Sequence, residues 1–98
     1  MMIIREPIAF QWDKGNQDKN FIKHKTTDEE CEGVFFDPHK RILADKLHSG
    51  KEKRHILLGA TSKKRLLFIV FTVRNNKIRV ISARDLNKKE RRLYGKKT

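Results

Sequence analysis

The chain has 98 residues, with 24 Lys or Arg against 12 Asp or Glu, so its formal net charge is +12. Residues 1–50 hold 8 basic and 9 acidic side chains, whereas residues 51–98 hold 16 basic and 3 acidic ones. A half this basic predicts a polyanion, an anionic membrane surface or an acidic protein as its partner.

The length predicts a single domain, residues 1–98. No apolar run approaches the roughly 20 residues of a membrane helix, and residues 1–8 lack a signal-peptide pattern. The lone Cys31 fits a reducing cytoplasm.

The first half of the chain predicts one strand and two helices. Apolar residues alternate with others over residues 8–12, which is typical of a short strand. Asp13 can cap a helix that begins at Lys14, because its carboxylate can accept a hydrogen bond from a free backbone N–H. Thr27 and Glu30 have the spacing of a capping box, which predicts the start of a second helix.

The second half predicts a sheet followed by a short helix. Asn75 and Asn76 form a turn signal between the last two strands, since Asn tolerates positive φ. Alternation in the last strand predicts that Ile78, Val80 and Ser82 share one face, opposite to Arg79, Ile81 and Ala83. Asn87 predicts the start of a basic helix that runs to about Tyr94. The predicted strands cover residues 41–44, 55–60, 66–73 and 77–83. This order predicts an α+β domain with helices on one face of an antiparallel sheet.

Cations and a few carboxylates are the chemistry-bearing residues of this chain. Paired metal ligands, a P-loop, GxGxxG and GxSxG are all absent from the sequence, so no cofactor is expected. RNA cleavage needs only a base for the 2′-hydroxyl, cations for the phosphorane and an acid for the leaving oxygen. The nucleophile belongs to the substrate, so this chemistry can proceed without a metal.

Each of these residues also has a structural interpretation. Strand Lys and Arg residues usually form a solvated face, and His24 can be a packed, hydrogen-bonded histidine. Glu52 and Arg54 can form a surface ion pair worth about 0–1 kcal/mol. Cys31 lies on an apolar helix stripe and is expected to be a buried structural thiol. Trp12 is expected to anchor the core.

The chain resembles the BrnT family over about residues 8–95. Phe10-Gln11-Trp12-Asp13, with Lys14, Asn20, Lys23 and His24, resembles the opening FEWDxxKxxxNxxKHG of that family. Later landmarks are Asp37-Pro38, Glu52 with Arg54, and Ile56 to Gly59. The most specific ones are Ile81-Ser82-Ala83-Arg84 and Glu90-Arg91-Arg92-Leu93-Tyr94, which resemble ISAR and ERRxYE.

The resemblance implies a RelE-like fold and a cytoplasmic ribonuclease toxin that inhibits translation by cleaving RNA. It also implies a BrnA-like antitoxin that neutralises the toxin and supplies its DNA contact, and a homodimer or a heterotetramer with that antitoxin is possible. His24 and Glu52 are the candidate proton-transfer groups, and Arg54, Arg79 and Arg84 the charge-stabilising ones. The candidate RNA-binding residues are Lys14, Lys23, Lys88, Arg91 and Tyr94.

Two positions depart from the family pattern. Lys25 replaces the Gly that usually follows His24, and Lys53 replaces a carboxylate of the GEER segment. If that second carboxylate acts as a base, activity here is weakened. The competing hypothesis is a non-catalytic basic module, which fits the composition equally well, or a decayed toxin kept as antitoxin partner and co-repressor. Membrane-surface binding is less favoured, because the basic residues are interleaved with strands.

Overall fold

The computed structural model describes residues 8–45, 50 and 52–95. Within them the fold is α+β, and the predicted fold class is confirmed. Its elements are α1 (Lys19–His24), α2 (Asp28–Val34), β1 (Arg41–Ala44), β2 (His55–Ala60), β3 (Leu66–Arg74), β4 (Lys77–Asp85) and α3 (Lys88–Gly95). The strands form one antiparallel sheet in the order β1-β2-β3-β4.

Local sequence signals set several of these boundaries. Thr27 Oγ1 accepts from the backbone N–H of Glu30 at 3.1 Å, and Glu30 Oε1 accepts from the N–H of Thr27 at 3.0 Å. The predicted capping box is thereby confirmed. Asn75 and Asn76 both have positive φ, as expected of the tight turn between β3 and β4.

The core lies between α2 and one face of the sheet. Phe35 sits at its centre, with its ring edge-on to both Phe10 and Phe71 at centroid distances of 5.3 and 5.0 Å. The other members are buried apolar side chains: Cys31, Val34, Leu57, Leu67, Ile69, Ile78, Val80 and Ala83. Trp12 packs against this cluster and donates its indole N–H to Glu32, so its predicted role as a core anchor is confirmed.

The N-terminal segment covers the edge of β4. The predicted strand over residues 8–12 is reduced to one parallel bridge, between Phe10 and Ile78. Past that bridge, asparagine side chains bind the edge: Asn16 Nδ2 donates to the carbonyl of Val80, and Asn20 Oδ1 accepts from the N–H of Ala83. These bonds satisfy backbone groups that an open edge would leave unpaired.

The first helix begins later than predicted. Residues 14–18 are turns, and the helix starts at Lys19. Asp13 does not cap it; its carboxylate instead accepts from the N–H of Gly15 at 2.8 Å, closing a local turn. Because Gly15 and Asn16 are poor helix formers, the turn geometry prevails there.

A β-bulge changes which side chains share a face of β4. Val70 pairs with Ser82 and Phe71 with Val80, so Ile81 is the extra residue. Ser82 therefore faces away from the core, while Ala83 lies in it, and the predicted strict alternation is wrong after Ile81. Without the bulge, residues 79 and 84 would face opposite sides; with it, both arginines lie on the face away from the core.

This face, which we call the outer face, is built of side-chain rows that follow the strand register. The row nearest α3 holds Arg41, Leu58, Phe68 and Arg84, the middle row Leu43, Ile56, Val70 and Ser82, and the far row Thr72 and Arg79. Thr72 also donates to the carbonyl of Lys53, which brings the segment before β2 to this row. Successive rows are about 7 Å apart.

The C-terminal helix packs on the outer face, so the expectation that all helices share one face is wrong. Arg84 makes two hydrogen bonds to the Glu90 carboxylate, at 2.8 and 2.9 Å, and Arg41 donates to the carbonyl of Leu93. Tyr94 Oη donates to Asp37 Oδ2 at 2.6 Å. Burial raises the pKa of Asp37, but hydrogen bonds from Tyr94 and from the backbone N–H groups of Ala60 and His39 outweigh it and leave this pKa lowered.

Candidate active site on the outer face

Five charged residues gather at the far end of the outer face. We call Asp13, Glu52, Arg54, Arg74 and Arg79 the charged cluster. Arg79 lies in the far row of the sheet and Arg74 ends β3. Arg54 comes just before β2, close to Glu52, and Asp13 reaches in from the segment beside β4. Their formal charges sum to +1, so the cluster can accept one further anion without an excess of negative charge.

Arg79 is held by Asp13 in a two-pronged pair. Arg79 Nη1 donates to Asp13 Oδ2 at 2.8 Å and Nη2 donates to Oδ1 at 2.9 Å. The Arg79 side chain is only 14% exposed, so the guanidinium is fixed in position by packing as well as by the pair. The hydrogen bond from Arg79 is also the main cause that lowers the pKa of Asp13. Asp13 occupies this fork, so a phosphate must share the guanidinium with that carboxylate, and the +1 sum of the charged cluster favours the approach of such an anion.

Gly15 allows Arg79 to approach the turn so closely. A Cβ at this position would lie 2.7 Å from Arg79 Nη2 and 3.2 Å from Asp13 Oδ1. Any larger residue must therefore displace the guanidinium or the carboxylate that holds it.

Glu52 is bound by Arg74 in the same manner. Arg74 Nη2 donates to Glu52 Oε1 at 2.9 Å, and Arg74 Nε donates to Oε2 at 2.5 Å. These hydrogen bonds from Arg74 are the main cause that lowers the pKa of Glu52, and the positive charges of Arg54 and Arg79 act in the same direction. Glu52 is therefore ionised at neutral pH in the free protein.

The structure brings some of the predicted residues together and separates others. Glu52, Arg54 and Arg79 belong to one cluster, and the exposed Lys14 adjoins Asp13 in the chain. His24 lies elsewhere: Arg65 binds its backbone carbonyl, and its charge acts on Asp85 at the other end of β4. Arg79 pairs with Thr72 and Asp85 with Leu67, which are five residues apart on β3, so the two ends lie about 17 Å apart. His24 and Glu52 are therefore not partners in a single proton-transfer pair.

Arg84 and Tyr94 lie at the α3 end of the outer face and hold that helix. Arg84 is bound to Glu90, and burial together with the hydrogen bond to Asp37 raises the pKa of Tyr94 to about 12. Lys88 and Arg91 are exposed on α3, and Lys23 is exposed on α1. The roles proposed for these residues in RNA binding stay predictions.

Sequence reasoning missed Arg74 and Asp13 as members of the cluster. Asp13 looked like a helix cap, and Arg74 looked like an ordinary residue before a turn. The signal for Arg74 is its place: a hairpin turn at Asn75 and Asn76 sets it at the end of β3, next to the segment that carries Glu52. No signal in the sequence marks Asp13, because its contact with Arg79 is long-range and the spacing along the chain does not encode it.

Other classes of site have little support in the described part of the chain. Over residues 8–45, 50 and 52–95, no group of three or more His, Cys, Asp or Glu side chains could hold a metal ion. Within the same residues no helix is long and apolar enough to cross a membrane.

Comparison with known proteins identifies the family. Residues 12–90 match the family model described as the ribonuclease toxin BrnT of type II toxin–antitoxin systems. Curated proteins gave no match. The matched span contains every member of the charged cluster as well as the Arg84–Glu90 pair. The chain therefore belongs to the BrnT family of ribonuclease toxins from type II toxin–antitoxin systems.

Proposed function

We propose that this chain is an endoribonuclease that cleaves RNA in the charged cluster by attack of the 2′-hydroxyl on the adjoining phosphodiester. The observation that carries the proposal is the grouping of three arginines with two carboxylates on one end of a sheet face. Arginine forks stabilise the charge that grows on the phosphorane oxygens. The requirement for a 2′-hydroxyl makes RNA, and not DNA, the substrate.

Glu52 accepts the 2′-hydroxyl proton as that oxygen bonds to phosphorus, and the P–O5′ bond breaks with the departing 5′ oxygen taking a proton from solvent water. In the free protein its hydrogen bonds from Arg74 lower its pKa, which makes it a weak base. A bound phosphate competes for the Arg74 guanidinium, because both are anions seeking the same donors. Loss of those hydrogen bonds raises the pKa of Glu52 toward its ordinary value, so substrate binding itself activates the base.

Arg79 and Arg54 then hold the phosphate. Arg79 keeps its orientation through Asp13, and its side chain has little freedom left to lose on binding. Lys14 adds a mobile charge beside the same site and attracts the RNA backbone in a salt-dependent manner.

The cellular role follows from the family. A type II toxin implies a cognate antitoxin, and we expect a BrnA-like protein that neutralises this chain in the cytoplasm and contacts DNA on behalf of the complex. The substrate expected is mRNA, and its cleavage would inhibit translation. The net positive second half suits an acidic antitoxin segment as well as RNA.

One observation favours a second candidate, a non-catalytic binding module. Both carboxylates of the cluster are fully engaged by arginines, and Lys53 stands where the family pattern has a further carboxylate. A module of this kind would bind RNA with a steep salt dependence and leave it intact.

Cleavage in EDTA separates the two candidates. Purified chain without antitoxin is incubated with labelled RNA and with the all-deoxy strand of the same sequence, and the ends are analysed. We expect only RNA to be cut, giving 2′,3′-cyclic or 3′-phosphate ends. Arg79→Ala should lose about 100-fold in rate, since one transition-state donor is worth about that much. Arg92→Ala removes an exposed arginine of α3 and serves as the matched control.

Intact RNA at high enzyme concentration would refute catalysis, and RNA binding without cleavage would support the second candidate. A folded Arg79→Ala variant that cuts at the wild-type rate would remove the charged cluster from the mechanism.

A further inference from the structure

The guanidinium of Arg84 lies over an aromatic ring at the α3 end of the outer face. Its Cζ lies 4.0 Å from the ring centroid of Phe68, its cross-strand neighbour. Two hydrogen bonds to Glu90 fix the plane of the guanidinium, and Nη1 also donates to the carbonyl of Asp85. Despite these contacts the Arg84 side chain is 38% exposed, so part of it stays accessible to a ligand.

This arrangement suits a neutral flat group better than a phosphate. The charge of Arg84 is balanced by Glu90, and three of its N–H···O bonds are already made. The Arg84–Glu90 pair has no net charge to attract a phosphate, unlike the charged cluster with its sum of +1, whereas a flat ring can stack on a guanidinium that is 38% exposed. Nucleobases stack readily on guanidinium planes and on aromatic rings.

We infer that Arg84 is a stacking platform for a nucleobase of the bound RNA. The inference rests on the proposed ribonuclease function and assigns a second subsite to it. Arg84 therefore acts by binding a base and not by stabilising the charge of the scissile phosphate, the role that the resemblance suggested for it.

The position of Arg84 relative to the charged cluster supports the inference. The row of Arg84 and the row of Arg79 are two steps apart on the same face, about 13 Å. Between them lies the middle row, which offers Ile56 and Val70 as a half-buried apolar floor. A strand of RNA that places a phosphate in the charged cluster can therefore lay a neighbouring base over Arg84.

The test measures base stacking apart from cleavage. An oligonucleotide with 2′-O-methyl groups cannot be cut, and 2-aminopurine placed at successive positions loses fluorescence when it stacks. We expect wild-type protein to quench one position strongly. Arg84→Lys keeps the charge but removes the plane, and it should abolish that quenching and weaken binding about tenfold. The slope of binding affinity against salt should stay unchanged, because no phosphate contact is lost.

Lys88→Ala is the matched control on the neighbouring helix. It should reduce the salt slope by about 1 and leave the quenching intact, as expected for a phosphate contact. Photocross-linking of wild-type protein to 4-thiouridine RNA gives a second measurement that needs no variant. Cross-links should map to the chain around residues 68 and 84.

The outcomes distinguish the two proposals. The stacking site is overturned if wild-type protein cleaves RNA and Arg84→Lys still quenches 2-aminopurine fully. Cross-links that map elsewhere overturn it as well. Either result leaves the ribonuclease proposal intact. Arg84-dependent quenching by a wild-type protein that cuts no RNA supports the base site and refutes catalysis. Absence of both binding and cleavage overturns both.

Discussion

Arg65 joins three parts of the fold, and its replacement is the sharpest test of how the helices are held to the sheet. Its Nη1 donates to the carbonyl of Lys25 at 2.8 Å, and its Nη2 donates to the carbonyl of His24 at 3.1 Å. The same guanidinium pairs with Glu30 of α2 and with Asp85 at the end of β4. One side chain thus ties the end of α1, the start of α2 and the end of β4 together.

The magnitude follows from the exposure of the partners. The Arg65 side chain is 27% exposed and that of Glu30 is 30%, whereas that of Asp85 is 60%. The Asp85 pair is therefore discounted as a surface pair of about 0–1 kcal/mol. Each hydrogen bond to the two carbonyls contributes about 1 kcal/mol, and the half-buried Glu30 pair contributes somewhat more. Arg65→Met should lower the free energy of unfolding by about 3 kcal/mol and the melting temperature by about 12–24 °C.

Urea and thermal unfolding followed by circular dichroism measure this loss, with Arg74→Met as the matched control. Arg74 is 48% exposed and makes a surface ion pair, so the same substitution there should destabilise the protein far less than Arg65→Met. Equal losses for the two variants, or a loss under about 1 kcal/mol for Arg65→Met, would refute the reasoning.

Four further outcomes are expected. Asp37 has a lowered pKa when folded, so its ionised form stabilises the protein above the ordinary value of 3.8, and this contribution is lost as pH falls further. Asp37→Asn should thus flatten the acid limb of stability against pH in urea titrations. Cys31 is fully buried, and burial raises its pKa to about 12, so Ellman's reagent should label it only at the rate of unfolding. Gly59→Ala places a Cβ 2.5 Å from a valine methyl of α2 and should cost about 1–3 kcal/mol in urea unfolding, unless that valine repacks freely. Gly15→Ala should slow RNA cleavage through displacement of Arg79 while the melting temperature changes little; unchanged kinetics would contradict the close contact.

Short-range chemistry in the sequence predicts much of this fold. The capping box at Thr27 and the Asn75-Asn76 turn act within four residues, and the structure has both. The Asn87 and Glu90 pair likewise begins α3, with each residue accepting from the backbone of the other. Such signals are readable because both partners lie in one stretch of chain.

Features set by long-range contacts escape that kind of prediction. Asn16 and Asn20 look like weak residues in a helix, yet their side chains replace a missing strand along β4. The bulge at Ile81 has no glycine to announce it, and it reverses the face of every later residue in the strand. Arg65 sits in a basic turn with nothing in its neighbourhood to mark it as the partner of α1 and α2.

The same division applies to the candidate site. Glu52, Arg54 and Arg79 could be predicted from the pattern of strands and from the family resemblance, and the structure places them in one cluster. Arg74 could not, because its partner lies 22 residues away across a hairpin. His24 shows the converse: it matches the family motif, but its position at the opposite end of β4 separates it from Glu52.

The most specific landmarks of the family, which end at Arg84 and at Tyr94, contain the residues that hold α3, and Arg79 of the charged cluster lies shortly before them. Arg84, Glu90 and Tyr94 bind α3 to the sheet, and Glu90 serves both as the cap partner of Asn87 and as the anion that fixes Arg84. Arg79, five residues before Arg84, reaches the same face only because the bulge lies between them. Deleting Ile81 would restore plain alternation and direct either Arg79 or Arg84 into the core. The bulge is thus what places Arg79 and Arg84, the arginines proposed to bind a phosphate and to stack on a base, on one face of the sheet.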